Sequence, residues 1–180
     1  KIWPYIDRLI DAHPDQRISF TYTAKIPDFY NSMFHVGILP RLANQPNLVQ
    51  VLVQKTQVYM FASQEYIDRF GMPQTPTDLF NHRFLAYGDR ENLVYLNGPL
   101  FDWHLYCPSG GEYTVEPYIK VNDAQDLTYL TQTGYGISLF PEHTGKMYNF
   151  VKILPDLKGP DYTMYFTYPE FFKNIPWVNT

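Results

Sequence analysis

Charge of either sign is scarce in this chain: Asp, Glu, Lys and Arg make up only 18% of its 180 residues, against roughly 25% in an ordinary soluble domain. Fourteen Lys and Arg against eighteen Asp and Glu leave a formal charge of -4 and a pI near 5.7. No basic field is available to hold nucleic acid by counterion release, so this chain by itself is not expected to grip DNA. Cysteine is almost absent. The single Cys107 forms no intramolecular disulfide, and a reducing cytoplasm is the expected compartment. No apolar run approaches the roughly 18 residues a bilayer span needs, and no charged-then-apolar leader opens the chain; neither membrane insertion nor export is expected. A starting methionine is also missing, since Lys1 stands directly inside a helical pattern, which reads as a fragment. What the chain has in plenty is aromatic surface, with 3 Trp, 16 Tyr and 13 Phe. At roughly 150 to 250 Å² each these can bury a sizeable core, and 45% hydrophobic residues exclude disorder.

Ile2, Tyr5, Ile6, Leu9 and Ile10 fall on one helical face, and His13-Pro14-Asp15 ends that helix. Ile18, Phe20 and Tyr22 alternate with polar neighbours, which predicts a half-buried strand. Asp28 to Met33 predicts a short helix and His35 to Leu39 a strand stopped by Pro40. This alternation of helix and strand is that of an α/β sheet with helices on its faces. Val49–Val53 and Val58–Ala62 read as two strands separated by polar Gln54-Lys55-Thr56-Gln57. Glu65 to Phe70 is a short helix ended by Gly71, and Thr75 or Thr77 caps one further helical turn. Phe84 to Tyr87 is a buried-type strand, the insert 93–121 is expected to be hairpin-like, and Asn122-Asp123 begins a capped helix closing at Gly134. Gly136 to Phe140, Val151 to Leu154 and Tyr162 to Tyr168 complete the strands.

Few residues carry a chemical motif. The five histidines show none of the short spacings of a zinc site, so no metal and no cofactor is expected. Glu142-His143 lacks the second helical histidine of a hydrolase motif and reads as a polar helix start. Cys107 near His104 is a nucleophile candidate whose plainer reading is a small buried hydrophobe. Ser109-Gly110-Gly111 lacks the lysine of a phosphate-cradling loop, and Gly134-Tyr135-Gly136 follows a helix where a dinucleotide fingerprint precedes one. What remains is a set of strand ends: Leu39-Pro40-Arg41, Tyr87-Gly88-Asp89 and Val121-Asn122-Asp123. Ligands of open α/β sheets bind outside the carboxyl ends of strands, where backbone N–H groups and a helix dipole face a crevice. Asn122 and Asp123 are equally explained as helix caps alone.

In order and spacing these segments resemble the effector-binding domain of LysR-type bacterial transcription regulators over nearly the whole chain. The most specific stretch is Phe61-Ala62-Ser63-Gln64-Glu65-Tyr66-Ile67, then Gly71, Pro73, Thr75-Pro76-Thr77-Asp78-Leu79 and His82-Arg83-Phe84-Leu85. Trp103, Val121-Asn122-Asp123 and Gly134-Tyr135-Gly136-Ile137-Ser138-Leu139-Phe140-Pro141 follow. The resemblance implies an α/β fold of two Rossmann-like subdomains joined by crossing strands, like periplasmic binding proteins, here cut short at both ends. Residues 1–55 with 161–180 would form the first lobe and 56–160 the second. It further implies a small-molecule effector in the cleft, bound by Leu39, Pro40, Tyr87, Gly88, Asp89, Arg90, Asn122 and Asp123. A homodimer or tetramer is implied too, built on the Ile2–Ile10 face and the Ile18–Tyr22 strand, with DNA reached only through a winged helix-turn-helix domain preceding Lys1. Family members open with a strand and a Ser/Thr-bearing turn that this sequence lacks. Gln64 stands for the usual proline, and Leu39-Pro40 where many members are polar, which points to an apolar or aromatic effector.

The leading expectation is therefore a ligand-sensing domain and no enzyme. A solute-binding protein serving a transporter would share the fold and is the alternative. An enzyme comes third, because no nucleophile, base and orienter fall into one constellation.

Overall fold

The computed structural model describes residues 3–23, 27–31, 34–88, 99–107, 110 and 114–175. The opening helix α1 spans Trp3–Ala12 and ends ahead of Pro14, as its spacing predicts. Residues 16–23 then carry no regular secondary structure, are exposed, and join no ladder among the described strands. The strand expected at Ile18–Tyr22 is thus absent: an alternating pattern supplies a face, but ladder hydrogen bonds need a neighbouring strand. The helix expected at 28–33 is a turn over its described residues. There the Asp28 carboxylate accepts from the backbone N–H of Tyr30 and Asn31 at 3.0 and 2.9 Å, the local bonding by which aspartate competes with helix. β1 (Gly37–Leu39) stops before Pro40.

The two strands expected at 49–53 and 58–62 are one strand of 15 residues, β2 (Leu48–Ala62). The polar stretch between them stays in the ladder, with Gln54, Lys55, Thr56 and Gln57 opposite Met164, Thr163, Tyr162 and Asp161, and Lys55 ion-paired to Asp161 at 2.8 Å. Gln54, Thr56 and Gln57 are only partly exposed, less than Val51, Leu52 and Val53 before them, so the polarity marks neither an end of pairing nor the most exposed part of the strand. A bulge between Leu52 and Gln54 shifts the register, and bulges bend the strand that carries them. From Val58 onward β2 is buried, because a second set of partners takes over.

α2 (Gln64–Phe70) starts on Ser63, whose Oγ accepts from Tyr66 N–H at 3.3 Å. The following 3-10 helix (Pro76–Asn81) starts on a capping box between Thr75 and Asp78. β3 (Leu85–Tyr87), β4 (Ile119–Val121), β5 (Ser138–Pro141), β6 (Val151–Ile153) and β7 (Asp161–Pro169) complete the strands. α4 (Ala124–Gln132) and α5 (Glu142–Met147) lie between them. The insert expected to be a hairpin instead carries the helix α3 (Pro99–Tyr106); Pro99 occupies its first position, where the missing N–H costs nothing.

One sheet runs β1-β7-β2-β5, with β6 also on β2, every pair antiparallel. β3 pairs β4 in parallel and meets Ile137 in a parallel bridge at Phe84, which joins the small sheet to the start of β5. β2 is therefore shared: its first ten residues pair β7, and its last five pair β5 and β6. The main core gathers Met60, Tyr66, Leu79, Phe84, Leu105, Ile137 and Ile153 around the second set. A smaller cluster of Phe29, Leu39 and Leu42 sits by β1. Tyr66, fully buried, explains the His82-Arg83 step after the 3-10 helix. Its hydroxyl accepts from Arg83 N–H at 2.8 Å and lies 3.1 Å from His82 Nδ1.

Candidate functional site

The change of partners along β2 opens a cavity of about 460 Å³, within the few-hundred-Å³ range of small-molecule sites. One wall comes from Ile38, Leu39 and Pro40 at the end of β1, the facing wall from the first turns of α4 and α5 through Ala124, Leu127, Thr128, His143 and Thr144. The floor is made by Gln54 and Val58 of β2 and Tyr162 and Met164 of β7, the paired strands that run between the walls, with Leu85, Tyr87 and His104 closing one end.

The predicted residues divide into three groups. Leu39, Pro40 and Tyr87 line the cavity. Gly88 and Asp123 adjoin the lining residues Tyr87 and Ala124 without lining the cavity themselves, and Asn122 is one residue further removed. The Gly88 N–H donates to Val121 O with φ at 78°, a left-handed turn that suits glycine and ties the end of β3 to the end of β4. Asp123 caps α4, its carboxylate accepting from the N–H groups of Gln125 and Asp126 at 2.7 and 3.2 Å, and Asn122 precedes it on the surface. Asp89 and Arg90 lie outside the described residues.

Several lining residues escaped the sequence reading. Gln54, Tyr162 and Met164 sit in the paired strands, where nothing in the pattern distinguishes a cavity floor from a sheet face. His143 and Thr144 carried a usable signal: Phe140-Pro141-Glu142 is a strand end running into a helix start, the same geometry that singles out Val121-Asn122-Asp123. His104, buried in α3, holds Leu85 O at 2.8 Å through Nε2; with the insert read as a hairpin, it had no place at the cavity.

Burial governs the ionisable groups of the wall. It raises the Tyr87 hydroxyl above its ordinary value, with the charge of Asp123 adding to the effect, and raises Tyr162, with Tyr87 adding. Burial also lowers His143, whose Nδ1 lies 3.3 Å from Gln54 Nε2. Both tyrosines and this imidazole are accordingly neutral near pH 7. The site offers hydroxyls, an amide and aromatic faces, and it contains no nucleophile paired to a base among its described residues. The thiol of Cys107, half-buried against the main core, is pushed up to about 11, the opposite of an activated nucleophile.

Over residues 2–175 the chain matches the family model described as the LysR substrate binding domain. It belongs to that family. An HTH-type transcriptional regulator of Haemophilus influenzae is 23% identical over 94% of this chain, and the chain spans 58% of that relative's length. The regulatory domain of CrgA, a LysR-type transcriptional regulator from Neisseria meningitidis, shares the fold with a TM-score of 0.78 at 15% identity, over 99% of this chain and 86% of that one. The effector binding domain of QuiR, solved in complex with shikimate, matches with a TM-score of 0.67 at 18% identity, over 99% of this chain and 85% of that one. The LysR substrate-binding domain is the periplasmic-binding-protein-like α/β fold. Membership places the chain among effector-binding domains of transcription regulators and favours that reading over a transporter's solute-binding protein. No helix among the described residues is long and apolar enough to cross a membrane.

Proposed function

We propose that this LysR substrate-binding domain senses a small-molecule effector in the cavity between β1 and the starts of α4 and α5, and passes the signal to a DNA-binding domain elsewhere in the whole regulator. The observation that carries this is the placement of the cavity: its walls belong to the two sets of strands that β2 joins, so an occupant touches both and biases their relative arrangement. Residues 1–55 with 161–180 form one lobe and 56–160 the other, and β2 and β7 are the crossing strands. Leu39, Pro40, Tyr87, Gly88, Asn122 and Asp123 are assigned to the cleft, as are Asp89 and Arg90, which follow Gly88 in the sequence. The shikimate complex of the QuiR effector binding domain supports a small-molecule occupant. The domain acts in the cytoplasm and catalyses nothing.

We infer association as a dimer or tetramer, supported by the surface of the first lobe. Ile10, Ile18, Phe20 and Tyr22 are 39 to 82% exposed, an apolar surface that a second copy would cover.

A thermal-shift screen of aromatic acids, amides, amines, amino acids and inorganic anions tests the proposal. A ligand at about 100 times its Kd stabilises by about 2.7 kcal/mol, and the shift should vanish in Pro40→Trp, which fills the cavity from the β1 side. A hit indifferent to that substitution would contradict the cleft assignment. Sedimentation of the purified chain as a monomer at high concentration would contradict the association.

A further inference from the structure

A hydrogen bond at the cavity joins side chains of the two lobes, granted that the cavity is the effector site proposed above. Gln54 on β2 and His143 in the first turn of α5 stand 89 residues apart in sequence, and both line the cavity. Gln54 Nε2 lies 3.3 Å from His143 Nδ1. An amide nitrogen has only protons to give, so Nδ1 accepts and the proton of the neutral ring sits on Nε2. Neither side chain makes a further hydrogen bond among the described residues. The pair therefore shows a ligand one acceptor, Gln54 Oε1, and one donor, His143 Nε2–H.

A proton from solvent changes that display. His143 is exposed, and its ring is neutral near pH 7 because desolvation lowers it, with the amino-terminal charge adding. Once protonated, the imidazolium has two N–H donors and no acceptor. Gln54 meets the new Nδ1–H with its oxygen by turning its amide over, which leaves the NH2 group for the ligand. The display becomes donors only, beside a positive charge. Neighbouring groups hold their state between pH 8 and 5. Lys152 and Lys146, at 2.9 and 3.4 Å, keep the Glu142 carboxylate ionised, and Asp161 keeps Lys55 protonated. The hydroxyls of Tyr87 and Tyr162 are raised and stay neutral. Asp123, whose charge acts on Tyr87, and His104, on Leu85 O, are common to the wild type and to the His143→Asn control below.

We infer that Gln54 and His143 form a proton-operated selector in the cleft: the neutral pair suits a group that both donates and accepts, such as a primary amide, and the protonated pair favours a carboxylate.

NMR on the labelled 180-residue chain at low salt tests this with benzamide and benzoate, two planar rings of nearly equal size that differ in charge. At pH 8 long-range proton–nitrogen spectra should place the His143 proton on Nε2. Between pH 8 and 5 benzoate should gain at least threefold in affinity relative to benzamide. By reciprocity saturating benzoate should raise the His143 titration midpoint by about half a pH unit or more. His143→Asn should remove the gain in protein whose thermal unfolding remains cooperative, and Pro40→Trp should abolish benzoate binding. A benzoate preference that ignores pH, or follows it equally in His143→Asn, overturns the selector while the cleft reading stands. So does a neutral ring protonated on Nδ1, or no benzoate binding at pH 5. Benzoate binding that survives Pro40→Trp overturns the cleft reading and this inference with it.

Discussion

At the residue scale, Cys107 shows how environment decides chemistry. The thiol touches the main core and burial lifts it to about 11, so at pH 7.5 the thiolate fraction is roughly two to three orders of magnitude below that of an ordinary thiol near 8.5. Alkylation by iodoacetamide should be correspondingly slow and should accelerate steadily up to about pH 11; a free-thiol rate at pH 7.5 would show the burial to be wrong. His82 gives a second case. Its Nδ1 lies 3.1 Å from Tyr66 OH, the same hydroxyl that accepts from Arg83 N–H. Burial lowers His82 and Asp78 opposes that only in part. The unfolded chain therefore binds more protons than the folded one as pH falls through about 6.5, and stability is lost in that window. The Tm of the chain should drop between pH 7 and 5.5, and by less in His82→Asn; an equal drop in both would remove His82 from the account.

At the scale of elements, caps and close approaches set the cost of substitution. Asp123→Ala should lose about 1 kcal/mol in urea unfolding by orphaning two N–H groups of α4, whereas Asn122→Ala, one residue earlier on the surface, should stay within about 0.5 kcal/mol. Gly145 runs against propensity. Alanine ordinarily strengthens a helix, yet a Cβ at Gly145 would come within 2.3 Å of the buried Phe61 ring. Gly145→Ala should therefore destabilise by about 1 to 3 kcal/mol, and a stabilised variant would mean that α5 does not press on β2.

The same scale shows what could be read from residues alone. Elements with local start and stop signals were legible: Gly71 after α2, Thr75 before the 3-10 helix, Asp123 before α4, Pro40 after β1. Elements whose state depends on distant partners were not. The stretch 18–22 alternates like a strand but has no ladder neighbour, Gln54–Gln57 look like a break but are held by β7, and the helix at Pro99 hid among aromatics that suit either state. The cavity was legible where it uses strand ends, at Leu39, Pro40 and Tyr87. It was illegible where it uses the faces of paired strands, at Gln54 and Tyr162.

At the scale of the molecule, β2 is the organising element. One strand of 15 residues pairs β7 over its first part and β5 and β6 over its last, so both walls of the cavity hang on it, and the bulge at Leu52/Gln54 marks where it bends. Aromatics serve both core and surface in each part. Tyr59, Phe61, Tyr66, Phe84 and Phe140 build the core of the second strand set and Phe29 and Tyr168 are buried in the first, while Phe20, Tyr22, Tyr30 and Phe171 stay exposed on the first and Tyr118, Tyr129 and Tyr135 on the second.

The central claim is that one small molecule bridges these two sets. The most direct measurement is a backbone-amide NMR titration of the labelled chain with a compound that stabilises it. The account predicts that residues 38–39, 124–128 and 142–144 shift together along a single saturating curve. Saturable binding that leaves any one of these three groups unmoved would contradict it.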